Sequence, residues 1–267
     1  MGREAELAEV TSRLATTQLL TLTGAGGCGK TRLALEVARG LIGHFPDGVW
    51  LVELAPLSDP ALVPQAVAAV LGVSDVPGQP LTTTLREALR PKRLLLVLDN
   101  CEHVVADAAA LVDALLRVCP QLRILATSRE VLGVPGEVPW RVPSLGLPEL
   151  LAKRPVQALV QSEAVRLFVD RAMTVQPHFR VTERNALTVA RLCHRLDGIP
   201  LAIELAAARA RVLSVEQVLV RLDDRFRLLT GGSRMAPARQ QSLRATVEWS
   251  YGLLPPAERR LFERLAV

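Results

Sequence analysis

Apolar runs and helical periodicities alternate over the first 130 residues of the chain. Apolar residues recur at three- and four-residue spacing over residues 33–42, 60–71 and 104–118, which predicts helices there. Four other runs are apolar at nearly every position, as expected of parallel strands that are covered on both faces. These predicted strands are residues 19–23, 49–52, 94–98 and 122–126. The alternation predicts an α/β fold in which helices sandwich a parallel sheet.

After about residue 150 the strand pattern disappears, and helical spacing alone predicts an all-α domain. Ser214 and Gln217 fit a capping box at the start of a helix. Gly198 suits the end of one helix, and Pro200 suits the first turn of the next. The predicted helices are residues 162–173, 182–196, 200–210 and 214–222, followed by 243–253 and 258–265.

Two interruptions divide the chain into three predicted domains. Prolines cluster between residues 143 and 155, and Gly231-Gly232-Ser233 breaks the helical pattern later. The predicted domains are residues 1–152 (α/β), 153–232 (helical) and 233–267 (the beginning of a third domain). Because the sequence ends inside an apolar helix, we expect it to be a fragment of a longer polypeptide.

Composition excludes several classes of protein. The chain has 267 residues, of which 49% are hydrophobic and 22% are charged, so it is neither collagen-like nor wholly disordered. No run of 18 uninterrupted apolar residues predicts a membrane span, and the first residues lack the pattern of a secretory signal. We therefore expect a cytoplasmic protein. The cysteines form no C-x-x-C pair and are expected to be core thiols rather than a disulfide scaffold. They are Cys28, Cys101, Cys119 and Cys193.

The net charge of +5 indicates little about partners, because only three of the 32 basic residues are lysine, a skew typical of genome composition rather than of function. Residues 221–264 hold nine arginines against five acids, which could meet nucleic acid or an acidic surface. Solvated helix faces are the interpretation that we favour. We do not expect direct nucleic-acid binding by this chain.

The clearest chemical motif is GAGGCGKT at residues 24–31, which has the pattern G-x-x-x-x-G-K-T between a predicted strand and a predicted helix. Glycines allow main-chain N–H groups to turn toward phosphate oxygens, and the start of the helix adds its dipole. Lys30 would reach the β- and γ-phosphates, and the Thr31 hydroxyl would ligate Mg²⁺. The motif predicts a P-loop.

The same glycines also fit a dinucleotide-binding fold. Gly24, Gly26 and Gly29 satisfy G-x-G-x-x-G, and Glu53 ends the next predicted strand, about where a ribose-binding acid would lie. We favour the P-loop because a dinucleotide fold has no need of Lys30 followed by a threonine.

A second motif follows the apolar strand at residues 94–98. Asp99 comes directly after it, where a P-loop protein places its Mg²⁺-side carboxylate. The alternative is that Asp99 caps the next helix. Asn100 cannot act as a base, so Glu102 is the nearest carboxylate that could polarise water. The alternative is that Glu102 only stabilises the start of the next helix through the helix dipole. We therefore expect slow hydrolysis.

A third motif, Ala-Thr-Ser-Arg at residues 126–129, lies at another strand tip. An arginine delivered there by a strand could touch a γ-phosphate and report its presence. A surface arginine is the alternative for Arg129.

Together these motifs resemble the nucleotide-binding core of STAND-class signalling ATPases, the NB-ARC type, in its bacterial form. The resemblance spans essentially the whole chain. Besides the P-loop, it rests on residues 2–7, 98–103, 126–129, 163–168, 198–202 and 243–251.

The resemblance implies a switch that binds ATP and ADP with Mg²⁺. It implies that Arg3 and Pro200 line the adenine pocket, that Arg129 senses the γ-phosphate, and that residues 233–267 begin a winged-helix domain. The family's histidine sensor would lie beyond Val267. The predicted nucleotide-binding residues are Arg3, Gly26, Gly27, Cys28, Gly29, Lys30, Thr31, Arg32 and Pro200. The predicted catalytic residues are Lys30, Asp99, Glu102 and Arg129, and the predicted metal ligands are Thr31 and Asp99.

Three functions remain open from the sequence. The favoured one is a signal-transduction switch that slow hydrolysis resets, with flanking effector and sensor domains and a nucleotide-dependent homo-oligomer. A P-loop ATPase that couples rapid turnover to work is the first alternative. A DNA-binding regulator fragment is the second.

Overall fold

The computed structural model describes residues 2–150, 156–222, 229, 243–252 and 256–265. The chain forms two compact units. The sheet unit is residues 4–25 and 29–142, and the helical unit is residues 1–3, 26–28 and 143–267. The predicted domain boundaries at 152/153 and 232/233, and the predicted break at 231–233, lie outside the described residues, and the three-domain division stays a prediction.

The sheet unit contains five strands: β1 Leu19–Thr23, β2 Val49–Glu53, β3 Leu95–Asp99, β4 Arg123–Thr127 and β5 Glu137–Arg141. They form one sheet in the order β2-β3-β4-β1-β5, and every pairing in it is parallel. Leu20 lies opposite Leu125 on one side and Val138 on the other, which fixes the register of the two ladders of β1. The predicted parallel α/β fold and its four predicted strands are confirmed.

Strand β5 was not predicted, because its sequence Glu-Val-Pro-Trp-Arg carries a proline and two charges. Its position explains that composition, since it is the last strand of the sheet and pairs only with β1. The N–H of Val142 donates to the carbonyl of Thr23, so alternate residues of β5 face β1 and Pro139 faces the outer edge. Proline is tolerated there because no ladder hydrogen bond is lost.

Helices pack on this sheet and bury its apolar side chains. Leu96 and Leu98 of β3 and Ile124 and Ala126 of β4 are fully buried in the same core. The helices are α1 Glu4–Thr16, α2 Lys30–Gly40, α3 Val63–Leu71, α4 Leu81–Leu89 and α5 Val105–Leu116, with short 3-10 turns at Ile42–His44, Pro60–Leu62 and Cys101–His103. Helix α4 was not predicted; its Leu85 and Leu89, four residues apart, are its buried positions.

The strand order excludes the dinucleotide-binding alternative. A dinucleotide fold pairs its first strand with its second, so that the acid ending the second strand reaches the ribose. Here β3 and β4 lie between β1 and β2, which places Glu53 about 14 Å from β1 at roughly 4.8 Å per strand. That alternative was wrong.

The helical unit has its own apolar core around Phe168, which is fully buried and packs edge-to-face on Phe179 with ring centroids 5.8 Å apart. Its helices are α6 Val156–Val160, α7 Glu163–Val175, α8 Ala186–Arg195, α9 Pro200–Ala207, α10 Val215–Arg221, α11 Leu243–Gly252 and α12 Pro256–Leu265, with a 3-10 turn at Ala208–Arg211. The capping box of Ser214 and Gln217 is formed, and Pro200 lies in the first turn of α9, as predicted. Within the described ranges, no helix combines the length and apolar character that a membrane span requires.

All four cysteines are free and buried, so the expectation of core thiols is confirmed. Burial raises the pKa of the Cys101 thiol, and the nearby carboxylates of Glu102 and Asp99 add to that effect. Burial alone raises the pKa of Cys193 to about 12. These thiols therefore stay protonated and unreactive at neutral pH.

Candidate functional site

The loop between β1 and α2 surrounds a buried positive charge. Lys30 is the first residue of α2 and is only 8% exposed. Its Nζ donates to the carbonyl oxygens of Gly24 at 2.8 Å and Ala25 at 3.1 Å, both in the same loop. The ammonium group is therefore folded against the loop that carries it. This arrangement fits the binding of an anion, because phosphate oxygens can replace the two carbonyl acceptors.

Gly24, Gly27 and Gly29 of the loop all have positive φ angles, in a range that other residues rarely adopt. Gly29 precedes α2 with φ of 94°, and Gly27 has φ of 80°. A Cβ on Gly27 would lie 2.8 Å from the Cβ of Leu201, whose N–H donates to the Gly27 carbonyl at 3.2 Å. Gly27 and Leu201 both belong to the helical unit. Glycine is thus required at Gly27 by conformation and by space.

Asp99 lies at the tip of β3, as predicted, and contacts the loop. The Thr31 hydroxyl donates to Asp99 Oδ1 at 2.7 Å. The carboxylate belongs to a residue that is only 6% exposed. The 3-10 turn and α5 that follow have Asn100 and Val104 as their N-cap residues, and neither element has a side-chain cap hydrogen bond. Asp99 therefore does not cap a helix, and the two predicted metal ligands share a hydrogen bond.

Thr127 is a buried residue of the site that the sequence did not single out. Its hydroxyl donates to Asp99 Oδ1 at 2.6 Å and accepts the Asn100 N–H at 2.8 Å. Asn100 has a left-handed φ of 68°, so Thr127 also holds a strained turn. A hydroxyl residue ending an otherwise apolar strand is the signal that could have identified it.

Thr127→Val is expected to lower the free energy of unfolding by about 1–3 kcal/mol, because the buried Asn100 N–H loses its acceptor. Valine has nearly the same shape, so lost packing contributes little. Urea denaturation measures the change. Thr127→Ser keeps the hydroxyl and serves as the control. If the valine variant is as stable as the serine variant, the two hydrogen bonds do not hold this turn.

Glu102 and Arg129 form an ion pair at the tips of neighbouring strands. Their closest atoms, Arg129 Nε and Glu102 Oε1, are 3.5 Å apart. The Glu102 side chain is 5% exposed and the Arg129 side chain is 20% exposed. Arg129 is therefore not an ordinary surface arginine, and the two predicted catalytic residues lie side by side.

Arg3 is held within the helical unit by several hydrogen bonds. Its Nη2 donates to the carbonyls of Cys28 at 2.9 Å and Pro143 at 2.8 Å. Its main-chain N–H donates to Glu163 Oε1 at 2.9 Å, while Glu163 Oε2 accepts the N–H of Gly146. Arg3 Nη1 is buried and has no partner among the described residues. Glu163 is thus a positioning residue that the sequence analysis missed, although it opens the motif at residues 163–168.

The remaining predicted nucleotide-binding residues occupy different surroundings. Cys28 is buried, and Gly26 directly precedes Gly27, the residue that lies close to Leu201. Pro200 is half-buried at the start of α9, next to Leu201. Arg32 lies on the exposed side of α2. The nucleotide contacts assigned to these residues stay predictions.

Comparison with known proteins gives the chain its family. The NB-ARC domain pattern matches residues 3–139, about half of the chain. A candidate HTH-type transcriptional regulator of Mycobacterium tuberculosis is 48% identical over 253 residues, which are 95% of this chain and 27% of that protein. The regulatory protein AfsR of Streptomyces griseus is 30% identical over 282 residues, which cover all of this chain and 26% of that protein.

Among solved structures, a STAND protein (signal transduction ATPase with numerous domains) with a tetratricopeptide-repeat sensor from Pyrococcus horikoshii matches with a TM-score of 0.50. It is 14% identical, and the match covers 98% of this chain and 33% of that one, so the likeness concerns the fold. The chain spans about a quarter of the length of the two regulators that it matches. With the P-loop motif, the parallel sheet and the match over residues 3–139, the chain belongs to the NB-ARC family of nucleotide-binding domains.

Proposed function

We propose that this domain is an adenine-nucleotide switch that binds ADP and ATP at the loop of residues 24–31. The observation that carries the proposal is the 2.7 Å hydrogen bond between Thr31 and Asp99, which joins the end of the loop to the tip of β3. Lys30 supports it, because its ammonium group is already directed into the loop. Oxygens of a phosphate bound there would accept hydrogen bonds from the main-chain N–H groups of Gly26, Gly27 and Gly29.

The donor set of Thr31 and Asp99 fits Mg²⁺, since a hydroxyl and a carboxylate are the hard oxygen ligands that this ion prefers. The ion, when bound, would neutralise charge on the β- and γ-phosphates. Thr127 would keep the Asp99 carboxylate turned toward Thr31 through its own hydrogen bond.

For the adenosine end of the nucleotide, we assign Arg3 and Pro200 by the family resemblance. Arg3 supports the assignment with Nη1, a buried donor that has no partner among the described residues. The hydrogen bond from Arg3 Nη2 to the Cys28 carbonyl places that donor close to Cys28, another predicted nucleotide-binding residue. Arg32 is the residue of the assigned set with the weakest support, because it lies on the exposed side of α2.

We propose that hydrolysis is slow and serves to reset the switch. Water would attack the γ-phosphorus, the bond to the β–γ bridging oxygen would break, and ADP would leave with the electron pair. Glu102 is the residue available to accept the proton of water, but its carboxylate is engaged with Arg129. Asn100 beside Asp99 offers no second base.

We further propose that the domain acts in the cytoplasm within a longer regulatory protein. The relatives that support this are named as regulators, and each is about four times as long as the stretch they share with this chain. In this proposal, the bound nucleotide determines whether the domain forms a homo-oligomer. Flanking sensor and effector domains respond to that change. Residues 233–267 would open a winged-helix domain, of which α11 and α12 are described. We propose no direct nucleic-acid contact by this chain.

The switch proposal predicts that the purified domain retains ADP and turns over ATP more slowly than about 1 per second. Mass spectrometry of the nucleotide released by denaturation identifies the ligand, and phosphate release measures turnover. Sustained turnover above that rate would instead support a work-coupled ATPase. A nicotinamide, or no affinity for added ADP, would contradict nucleotide binding at this loop.

A further inference from the structure

The ion pair of Glu102 and Arg129 joins two side chains that differ in their exposure to solvent. Both lie at tips of hydrogen-bonded neighbours in the sheet, Glu102 after β3 and Arg129 after β4. The carboxylate is nearly enclosed, whereas a fifth of the arginine side chain reaches solvent. The arginine is therefore the more exposed partner of the pair.

The short turn that carries Glu102 is fixed on both sides. Asn100 donates its N–H to Thr127, and His103 Nε2 donates to the carbonyl of Leu57 at 3.1 Å. The side-chain amide nitrogen of Asn100, Nδ2, lies 3.3 Å from the ring Nδ1 of His103, and this contact joins the two ends of the turn. With its backbone anchored in this way, Glu102 is expected to keep its carboxylate in place.

The enclosed carboxylate depends on the guanidinium group. Glu102 Oε2 is buried and accepts no hydrogen bond from the residues in the described ranges. A buried carboxylate that lacks donors is stabilised chiefly by a nearby cation, and withdrawal of that cation is costly. Glu102 therefore opposes any movement of Arg129 toward another anion.

We propose that Glu102 determines the preference of the domain for ADP over ATP by competing with the γ-phosphate for Arg129. The inference depends on the phosphate site proposed above. ATP would have to draw the guanidinium group away from Glu102, whereas ADP carries no group that competes for it. Glu102 thus weakens ATP binding selectively and leaves ADP binding almost unchanged.

Glu102→Gln tests this inference, because it removes the charge and keeps the size of the side chain. The measured quantity is the ratio of the Kd for the non-hydrolysable β,γ-methylene analogue of ATP to the Kd for ADP, by titration calorimetry of the full chain. We expect the ratio to fall about tenfold, within the range typical of coupled binding. Glu102→Asp, which withdraws the carboxylate by one methylene group, should shift the ratio in the same direction by less.

Two further variants isolate the contribution of Arg129. Glu36→Gln removes the same charge from an exposed ion pair with Arg39 and should leave the ratio unchanged. In an Arg129→Gln background, adding Glu102→Gln should have no further effect on the ratio, because the cation for which Glu102 and the γ-phosphate compete is already absent. The four proteins form a double-mutant cycle. Circular dichroism verifies that each variant is folded.

An unchanged ratio in both Glu102 variants, with nucleotide binding intact, would overturn this inference alone. So would a tenfold effect that persists in the Arg129→Gln background, because Glu102 would then act without the arginine. Failure of the unmodified chain to bind either nucleotide would overturn the proposed function and this inference with it.

Discussion

Lys30→Ala is expected to lower the affinity of the domain for ADP by at least about 100-fold, because the variant loses two charge-assisted hydrogen bonds to the phosphates. The ammonium group of Lys30 is the buried cation of the loop, and its two present acceptors are main-chain carbonyls that phosphate oxygens would replace. Titration calorimetry with ADP, in Mg²⁺ and in a chelator, measures the effect.

The control for this variant is Lys92→Ala, which removes the same charge from the segment between α4 and β3. It should bind ADP as the unmodified chain does. Thermal unfolding without nucleotide verifies that Lys30→Ala is folded. Unchanged affinity in a folded Lys30→Ala variant would refute the assignment of the loop as a phosphate site.

Asp99→Asn is expected to abolish the dependence of ATP binding on Mg²⁺ and to lower turnover by at least about 100-fold. The amide keeps an oxygen that can accept from Thr31 and Thr127, so the local hydrogen bonds survive while the charge that favours a divalent cation is lost. Binding of ADP in a chelator should change little. Comparing ATP affinity with and without Mg²⁺ separates the two effects.

Asp113→Asn is the matched control, since Asp113 lies in the last turn of α5 and pairs with Arg117, the residue directly after that helix. It should retain Mg²⁺ dependence and turnover. If Asp99→Asn binds ATP as tightly as before in Mg²⁺, and still loses that affinity in a chelator, the metal lies elsewhere.

The sequence predicted the sheet well where burial dictates composition. Strands β1, β3 and β4 are enclosed on both faces, so their apolar runs are continuous and easily recognised. Strand β5 escaped prediction because an edge strand needs no such run. Helix α4 escaped because its two buried leucines lie among threonines and charged residues, which weaken the periodic pattern.

The candidate site was predicted residue by residue but not as an arrangement. Motif spacing identified Lys30 and Asp99 from chemistry that needs particular side chains. The pairing of Glu102 with Arg129 depends on β3 and β4 being neighbours, and local periodicity does not determine strand order. Thr127 was overlooked for a related reason, since its role follows from a hydrogen bond to Asp99 on the neighbouring strand.

The outer margin of β5 also limits how copies of this domain can meet. Pro139 offers no N–H on that side, and the N–H of Glu137 is already taken by the carbonyl of Val134. A foreign strand approaching there would find the N–H of Arg141 as its one remaining donor within β5, too few to extend the ladder. Copies of the domain are therefore protected from joining sheet to sheet through β5, and an assembly that uses this margin must rely on side-chain contacts instead.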